Sequence, residues 1–314
     1  MSAGVIALTL AEIYDALESL KQVDHIDLRW YPLHYRLGEY RFPKLISQDI
    51  RASDKVCLIG AGIHGNEIAG PITLARYGKT IIERAHAQGI KLILYPLRNP
   101  SGYGRKRYNI DSADDAVEIG NDDFLRYHLR DGRIVDDLTE SDSFASWVWS
   151  SDPRLGIQLP PETRLMHDLL RQDPLRQVRA VIDLHQDYIS DQAQPLAYHY
   201  AFGDLATYQP IEREIEKIVP VWRHHSIGAG YRGTTEEGKV TLDARERSIE
   251  SDAAGFIVRH DGTWIDLMYR LGESQGRRVH CVTPETTGAT PLEVACEVNL
   301  KWIYGIFDLV EKES

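Results

Sequence analysis

Apolar positions along this chain fall into two rhythms, an i, i+3/i+4 spacing and short unbroken or alternating runs, separated by long polar stretches. Thr9-Leu10-Ala11-Glu12 forms a capping-box pattern and opens a short helix with Ile13, Leu17 and Leu20 on one side. Ile26-Asp27-Leu28-Arg29-Trp30 and His34-Tyr35-Arg36-Leu37 alternate like the two strands of a hairpin. The run Val56-Cys57-Leu58-Ile59 has strand character and leads into a glycine-rich turn, Gly60 to Glu67. A helical segment then extends to Ala87, with Pro71 near its start, where proline is tolerated. Lys91 to Leu97 is a further strand, running into the turn signal Arg98-Asn99-Pro100-Ser101-Gly102. Later elements are a helix from Pro161 to Leu170, a buried strand Val178 to Leu184, a strand Leu196 to Phe202 and a helix Ile211 to Val219. A helix Trp264 to Leu271, a strand Val279 to Thr283 and an amphipathic helix Leu292 to Val310 complete the pattern. Two polar, weakly periodic stretches, 104–154 and 228–254, read as loops, the first as a long ordered loop region over the sheet edge.

Strands alternating with helices predict an α/β fold with a mostly parallel or mixed central sheet covered by helices on both faces. With 314 residues and no internal repeat or linker, residues 1–314 read as a single domain. Residues 1–50 would be an N-terminal helix and hairpin elaboration, and 104–154 the long loop region.

Charge and cysteine content narrow the function classes. A net charge of −11 argues against nucleic acid as a partner. No apolar run approaches the roughly 20 residues of a membrane helix, and the N-terminus lacks a basic signal region. Three cysteines, Cys57, Cys281 and Cys296, cannot build a disulfide framework, which fits a reducing compartment. The expectation is a cytoplasmic protein.

The candidate chemistry sits where strands end. His64 and Glu67 lie on the turn after Val56–Ile59, His185 follows Val178–Leu184, and Glu285 follows Val279–Thr283. Strand C-termini are where open α/β sheets place ligands. Gly62 and Gly65 free the turn to converge an imidazole and a carboxylate. His64, Glu67 and His185 make three protein ligands with a fourth position open, the catalytic rather than structural zinc arrangement. A glutamate outside that set, Glu285, can accept the proton of an activated water, and an arginine can stabilise an oxyanion. Other polar groups read more plainly: His128 to Asp131 repeats the His-x-x-acid spacing without a preceding strand, and His224-His225 point apart in a loop. His199 reads as core or cleft wall, Cys281 as packing, and Asp114-Asp115 and Asp136-Asp137 as solvated faces; Asp183 reads as part of its buried strand, with a partner of a ligand histidine as the alternative.

These residues resemble the M14-type zinc carboxypeptidases, a group that also takes in succinylglutamate desuccinylases and aspartoacylases. Gly62-Ile63-His64-Gly65-Asn66-Glu67 is similar to the group's first metal motif, Asn99-Pro100-Ser101-Gly102 to its Asn-Pro-x-Gly turn, and Asp183-Leu184-His185 to the strand bearing its third ligand. Gly262-Thr263-Trp264-Ile265-Asp266 with Tyr269 is similar to its specificity-pocket segment, and Thr283-Pro284-Glu285-Thr286 to its catalytic-glutamate strand. The resemblance implies one zinc per chain on His64, Glu67 and His185, Glu285 as general base, and Arg107 as the transition-state arginine, with Arg105 as its rival. It implies substrate contacts at Asn121, Asp122 and Ile265. Asp122 stands where the group has an arginine for the substrate's terminal carboxylate, and no tyrosine stands near Ile257, where digestive members carry a mobile one. The implied activity is a zinc metallopeptidase acting on peptides. The alternatives are a deacylase of N-acyl amino acids and a non-catalytic peptide binder.

Overall fold

A computed structural model describes residues 7–112, 126–128, 134–136, 160–186, 194–221, 239–241, 248–251, 256–258 and 264–313. Twelve strands are present among them: β1 Ile26–Tyr35, β2 Gly38–Ser47, β3 Lys55–Ala61, β4 Ile90–Tyr95, β5 Arg126–His128, β6 Ile134–Asp136, β7 Val178–Leu184, β8 Ala197–Ala201, β9 Lys239–Thr241, β10 Ser248–Ser251, β11 Phe256–Val258 and β12 His280–Thr286. The α-helices are α1 Leu10–Ser19, α2 Ala69–Ala87, α3 Pro161–Leu170, α4 Gln209–Glu216, α5 Trp264–Ser274 and α6 Leu292–Lys312.

A mixed sheet runs in the order β1-β2-β4-β3-β7-β12-β8, and the short strands β11, β10 and β9 extend it beyond β8. At its centre β4, β3, β7 and β12 are mutually parallel, whereas β2 pairs antiparallel with β4 and β8 antiparallel with β12. Successive side chains of a strand point to opposite faces, and the core divides accordingly. Cys57, Ile59 and Ala61 of β3, with Ala180, Ile182 and Leu184 of β7, pack in a cluster with α1, α2, α4 and α6. Val56 and Leu58, with Val181, pack in a second cluster with Met166 and Leu169 of α3 and Trp264, Ile265 and Met268 of α5. All three cysteines are buried and free. Among the described residues no helix is long and apolar enough to cross a membrane.

Local chemistry accounts for several boundaries. The Thr9–Glu12 capping box is formed, with Glu12 Oε2 accepting from the Thr9 amide at 2.7 Å. Lys55 Nζ closes the other end of the fold by donating to the Val310 carbonyl at the last turn of α6, 3.0 Å away.

Three sequence expectations are corrected here. The hairpin turns at Arg36–Leu37, not between Trp30 and His34, and its second strand is Gly38–Ser47. Pro32 stays inside β1 because β1 is the edge of the sheet, where a missing amide leaves no ladder bond unmade. The turn amides of Arg36 and Leu37 donate instead to Asp111, at 2.6 and 3.0 Å. The second correction is the 228–254 stretch, which contains β9 and β10 and so is not wholly loop. Likewise the 104–154 stretch holds the separate antiparallel pair β5–β6.

Candidate metal centre

The turn after β3 is built by close backbone approach. Gly62 has φ +64°, a left-handed conformation that favours glycine. Gly65 lies against the next loop so tightly that a Cβ there would sit 2.3 Å from the Gly102 carbonyl carbon. Four backbone bonds lace the two loops: Arg98 N to Ala61 O (3.0 Å), Asn99 N to Gly62 O (2.8 Å), Gly104 N to Gly65 O (2.7 Å) and Gly65 N to Arg107 O (2.8 Å). Asn99 shapes the second loop from inside, accepting from the Gly102 amide at 3.0 Å and donating to the Arg107 carbonyl at 3.3 Å. Arg107 is thereby held beside the turn that carries His64 and Glu67.

His64, Glu67 and His185 converge there, each buried, with one candidate ligand atom apiece within 4.8 Å of the others. Glu67 is the hub. Its Oε1 meets His64 Nδ1 at 2.8 Å and accepts from Arg107 Nη1 at 3.0 Å. Its Oε2 lies 2.9 Å from His185 Nδ1 and accepts from the Gln186 amide at 3.2 Å. Arg107 Nη2 donates to His64 Nε2 at 3.0 Å. Burial alone would raise the Glu67 carboxyl, but the two histidines outweigh it and hold it well below the usual carboxylate range.

The third residue is oriented from behind. His185 follows β7, and its amide donates to the Pro284 carbonyl of β12 at 3.0 Å, which brings the Glu285 strand alongside. His185 Nε2 lies 3.1 Å from Asp183 Oδ2, leaving Nδ1 toward Glu67. Burial favours the neutral ring of His185, yet Asp183 and Glu67 together push its pKa well up. Asp183 itself is lowered to about 2: burial opposes ionisation, and Arg98 and His185 overcome it. Glu285 is buried at the rim, with Oε1 3.9 Å from His185 Nδ1 and outside the three-residue cluster.

The donor set of two imidazoles and one carboxylate, with a carboxylate behind one histidine, fits zinc. No other group of three or more metal-ligating side chains of this kind occurs among the described residues.

The remaining candidates are placed as follows. Arg105 is exposed, while the Arg107 side chain is largely buried at the cluster. Ile265 is 1% exposed and packs in the α3–α5 face of the core. His199 is fully buried, its ring 4.6 Å from that of Trp302. Ile257 lies on β11, in register with Tyr200 of β8. Asn121, Asp122, Asp131, His224, His225, Asp114, Asp115 and Asp137 lie outside the described residues. Sequence reasoning missed Arg98. The available signal was a charge at the exit of an apolar strand, Leu94-Tyr95-Pro96-Leu97-Arg98.

Solved structures with this architecture are numerous. Bovine thrombin-activatable fibrinolysis inhibitor, solved with tick carboxypeptidase inhibitor, superposes with a TM-score of 0.58 at 15% identity, over 98% of this chain and 99% of that one. The fold is that of the metallo-carboxypeptidases. A proposed metallopeptidase from Shewanella baltica OS155 matches with a TM-score of 0.56 at 16% identity, over 95% of this chain and 90% of its own. A Pseudomonas aeruginosa metallo-carboxypeptidase, solved with (2-guanidinoethylmercapto)succinic acid, matches with a TM-score of 0.52 at 12% identity, over 95% and 68%. No family model matches the sequence, and no curated protein matches it.

Proposed function

We propose that the protein is a zinc-dependent hydrolase of amide bonds, a metallopeptidase of the carboxypeptidase type. The observation that carries this reading is the convergence of His64, Glu67 and His185 within 4.8 Å, with Glu285 adjoining but separate. His64, Glu67 and His185 would hold the zinc, which would supply Lewis acidity at the site. Glu285 takes the proton of the attacking water and passes it to the leaving amine. Arg107 donates from its guanidinium to the carbonyl oxygen as negative charge develops there. Asp183 keeps His185 turned with Nδ1 inward.

Substrate choice rests on residues beyond the centre. Asp122 in place of an arginine favours substrates without a free carboxylate at that subsite, because an arginine–carboxylate pair is bidentate and charge-assisted, whereas two carboxylates repel. Asn121 is the other proposed contact; Ile265, expected to be one, is packed in the core instead.

The test is zinc reconstitution followed by metal analysis and assay against matched free and amidated peptides and N-acyl amino acids. One zinc per chain is expected, with peptide cleavage favouring the amidated form. His185→Ala should bind metal poorly. Glu285→Gln should keep zinc and lose about 10²–10⁴-fold in turnover. Absence of stoichiometric metal after reconstitution overturns the reading, and cleavage of N-acyl amino acids alone moves it to the deacylases.

A further inference from the structure

Arg98 is fully buried, and one of its terminal nitrogens, Nη2, donates to Asp183 Oδ1. The other oxygen of Asp183 accepts from Trp264 Nε1 and lies 3.1 Å from His185 Nε2. The Arg98 guanidinium also stands over the Trp264 ring, its central carbon 4.9 Å from the centroid. Space for this pair is made in β3, where a Cβ on Gly60 would come within 2.7 Å of the Trp264 ring and 3.3 Å of Arg98 Nε. Glycine weakens a strand interior, so a strand glycine often marks a site where something must approach closely.

Energetics argue that this arrangement does more than hold the core. A buried ion pair is often no more stabilising than apolar residues of the same volume. Here the guanidinium is dehydrated, and among the described residues its Nε and Nη1 have no hydrogen-bond partner. Its one directed contact is to the carboxylate behind His185.

We propose that Arg98 is a positioning residue for the metal centre: with Trp264 it fixes the Asp183 carboxylate so that His185 is locked with Nδ1 toward Glu67. This rests on His185 being a metal ligand. An imidazole can turn either nitrogen inward, and the group behind it decides which. Asp183 can decide only while its own orientation is fixed. Arg98 holds one of its oxygens, which leaves the other for Trp264 and His185. Without Arg98 the carboxylate can rotate, and the ligand geometry loosens.

The experiment measures zinc affinity by competition with a chelator, and the visible d–d spectrum of the cobalt-loaded full chain. The variants are Arg98→Met, Arg98→Lys and the double variant Arg98→Met/Asp183→Asn. Arg98→Met should weaken zinc binding about 10–100-fold, the usual range for loss of a group supporting a ligand, and should alter the cobalt spectrum. Arg98→Lys should recover most of the affinity, since the cation can still reach the carboxylate though without the planar fork. The double variant leaves no unpaired buried charge. It should fold even where Arg98→Met does not, and still bind zinc more weakly than wild type. A folded Arg98→Met protein, or a folded double variant, with wild-type zinc affinity and cobalt spectrum overturns the proposal while leaving the metal centre intact. A wild-type chain that binds no stoichiometric zinc overturns both.

Discussion

Two carboxylates in this molecule are buried with the same kinds of partner and behave in opposite ways. Asp173, just after α3, is met by Lys44 of β2 and by the Tyr95 hydroxyl, with the Lys44 ammonium 5.4 Å from the Tyr95 ring centroid. Asp183 of β7 is met by Arg98 and by the Trp264 indole, again with the cation over the ring. Burial wins at Asp173, whose pKa is raised despite Lys44 and Tyr95. At Asp183 burial loses to Arg98 and His185, and the group is lowered to about 2. The difference is the extra donor. Asp173 closes a contact between a strand and a helix end, whereas Asp183 also meets His185 of the candidate metal centre.

The comparison breaks most readily by removing one cation at a time. Lys44→Met and Arg98→Met each strand a buried carboxylate, and each should cost about 3–5 kcal/mol in urea unfolding. Only Arg98→Met should also weaken zinc; a loss of zinc affinity in Lys44→Met would show that the two pairs are not separate. Removing both charges sharpens the point. Lys44→Met/Asp173→Leu/Tyr95→Phe, which also removes the hydroxyl that donates to Asp173, should return to within about 1 kcal/mol of wild type or exceed it, because apolar replacements of buried pairs are often neutral or better.

Acid separates the pairs by sign. Asp183 has a folded pKa near 2 against an ordinary 3.8. Its stabilisation, about 2 kcal/mol, is fully present above pH ~3.8 and is lost as pH falls toward 2. Asp173, raised instead, binds its proton more readily folded than unfolded, so acidification favours the fold at that site. Unfolding of metal-free wild type and Asp183→Asn across that window should give curves that converge as pH falls. The smallest effect is expected from the aromatic donors. Tyr95→Phe should cost about 1 kcal/mol, the net worth of one hydrogen bond, and leave zinc binding unchanged, whereas Trp264→Phe should weaken it measurably.

Much of the centre was legible because its parts are local. His64 and Glu67 share one turn, and His185 and Glu285 close apolar runs that are recognisable as strands. Adjacent parallel strands then bring those ends together without further information. What was not legible is pairing across long separations. Arg98 and Asp183 are 85 residues apart, and Lys44 and Asp173 are 129 apart. No periodicity in either segment signals the other. The hairpin was misplaced for a related reason: Trp30 to His34 belongs to one continuous strand, with Pro32 tolerated at the sheet edge, and the edge position is set by pairing elsewhere. The short strands in the polar 228–254 stretch carry too little apolar alternation to stand out.

Gly65 has a consequence for anyone screening variants of this chain. Its missing side chain is what lets the His64 turn and the Arg107 loop touch backbone to backbone. In a saturation screen on activity, Gly65 and His64 would look equally intolerant. Soluble yield would tell them apart: His64 variants should accumulate as folded, metal-poor protein, while any side chain at Gly65 should deplete the folded pool itself. A screen scored on turnover alone would therefore mistake a site of assembly for a site of chemistry.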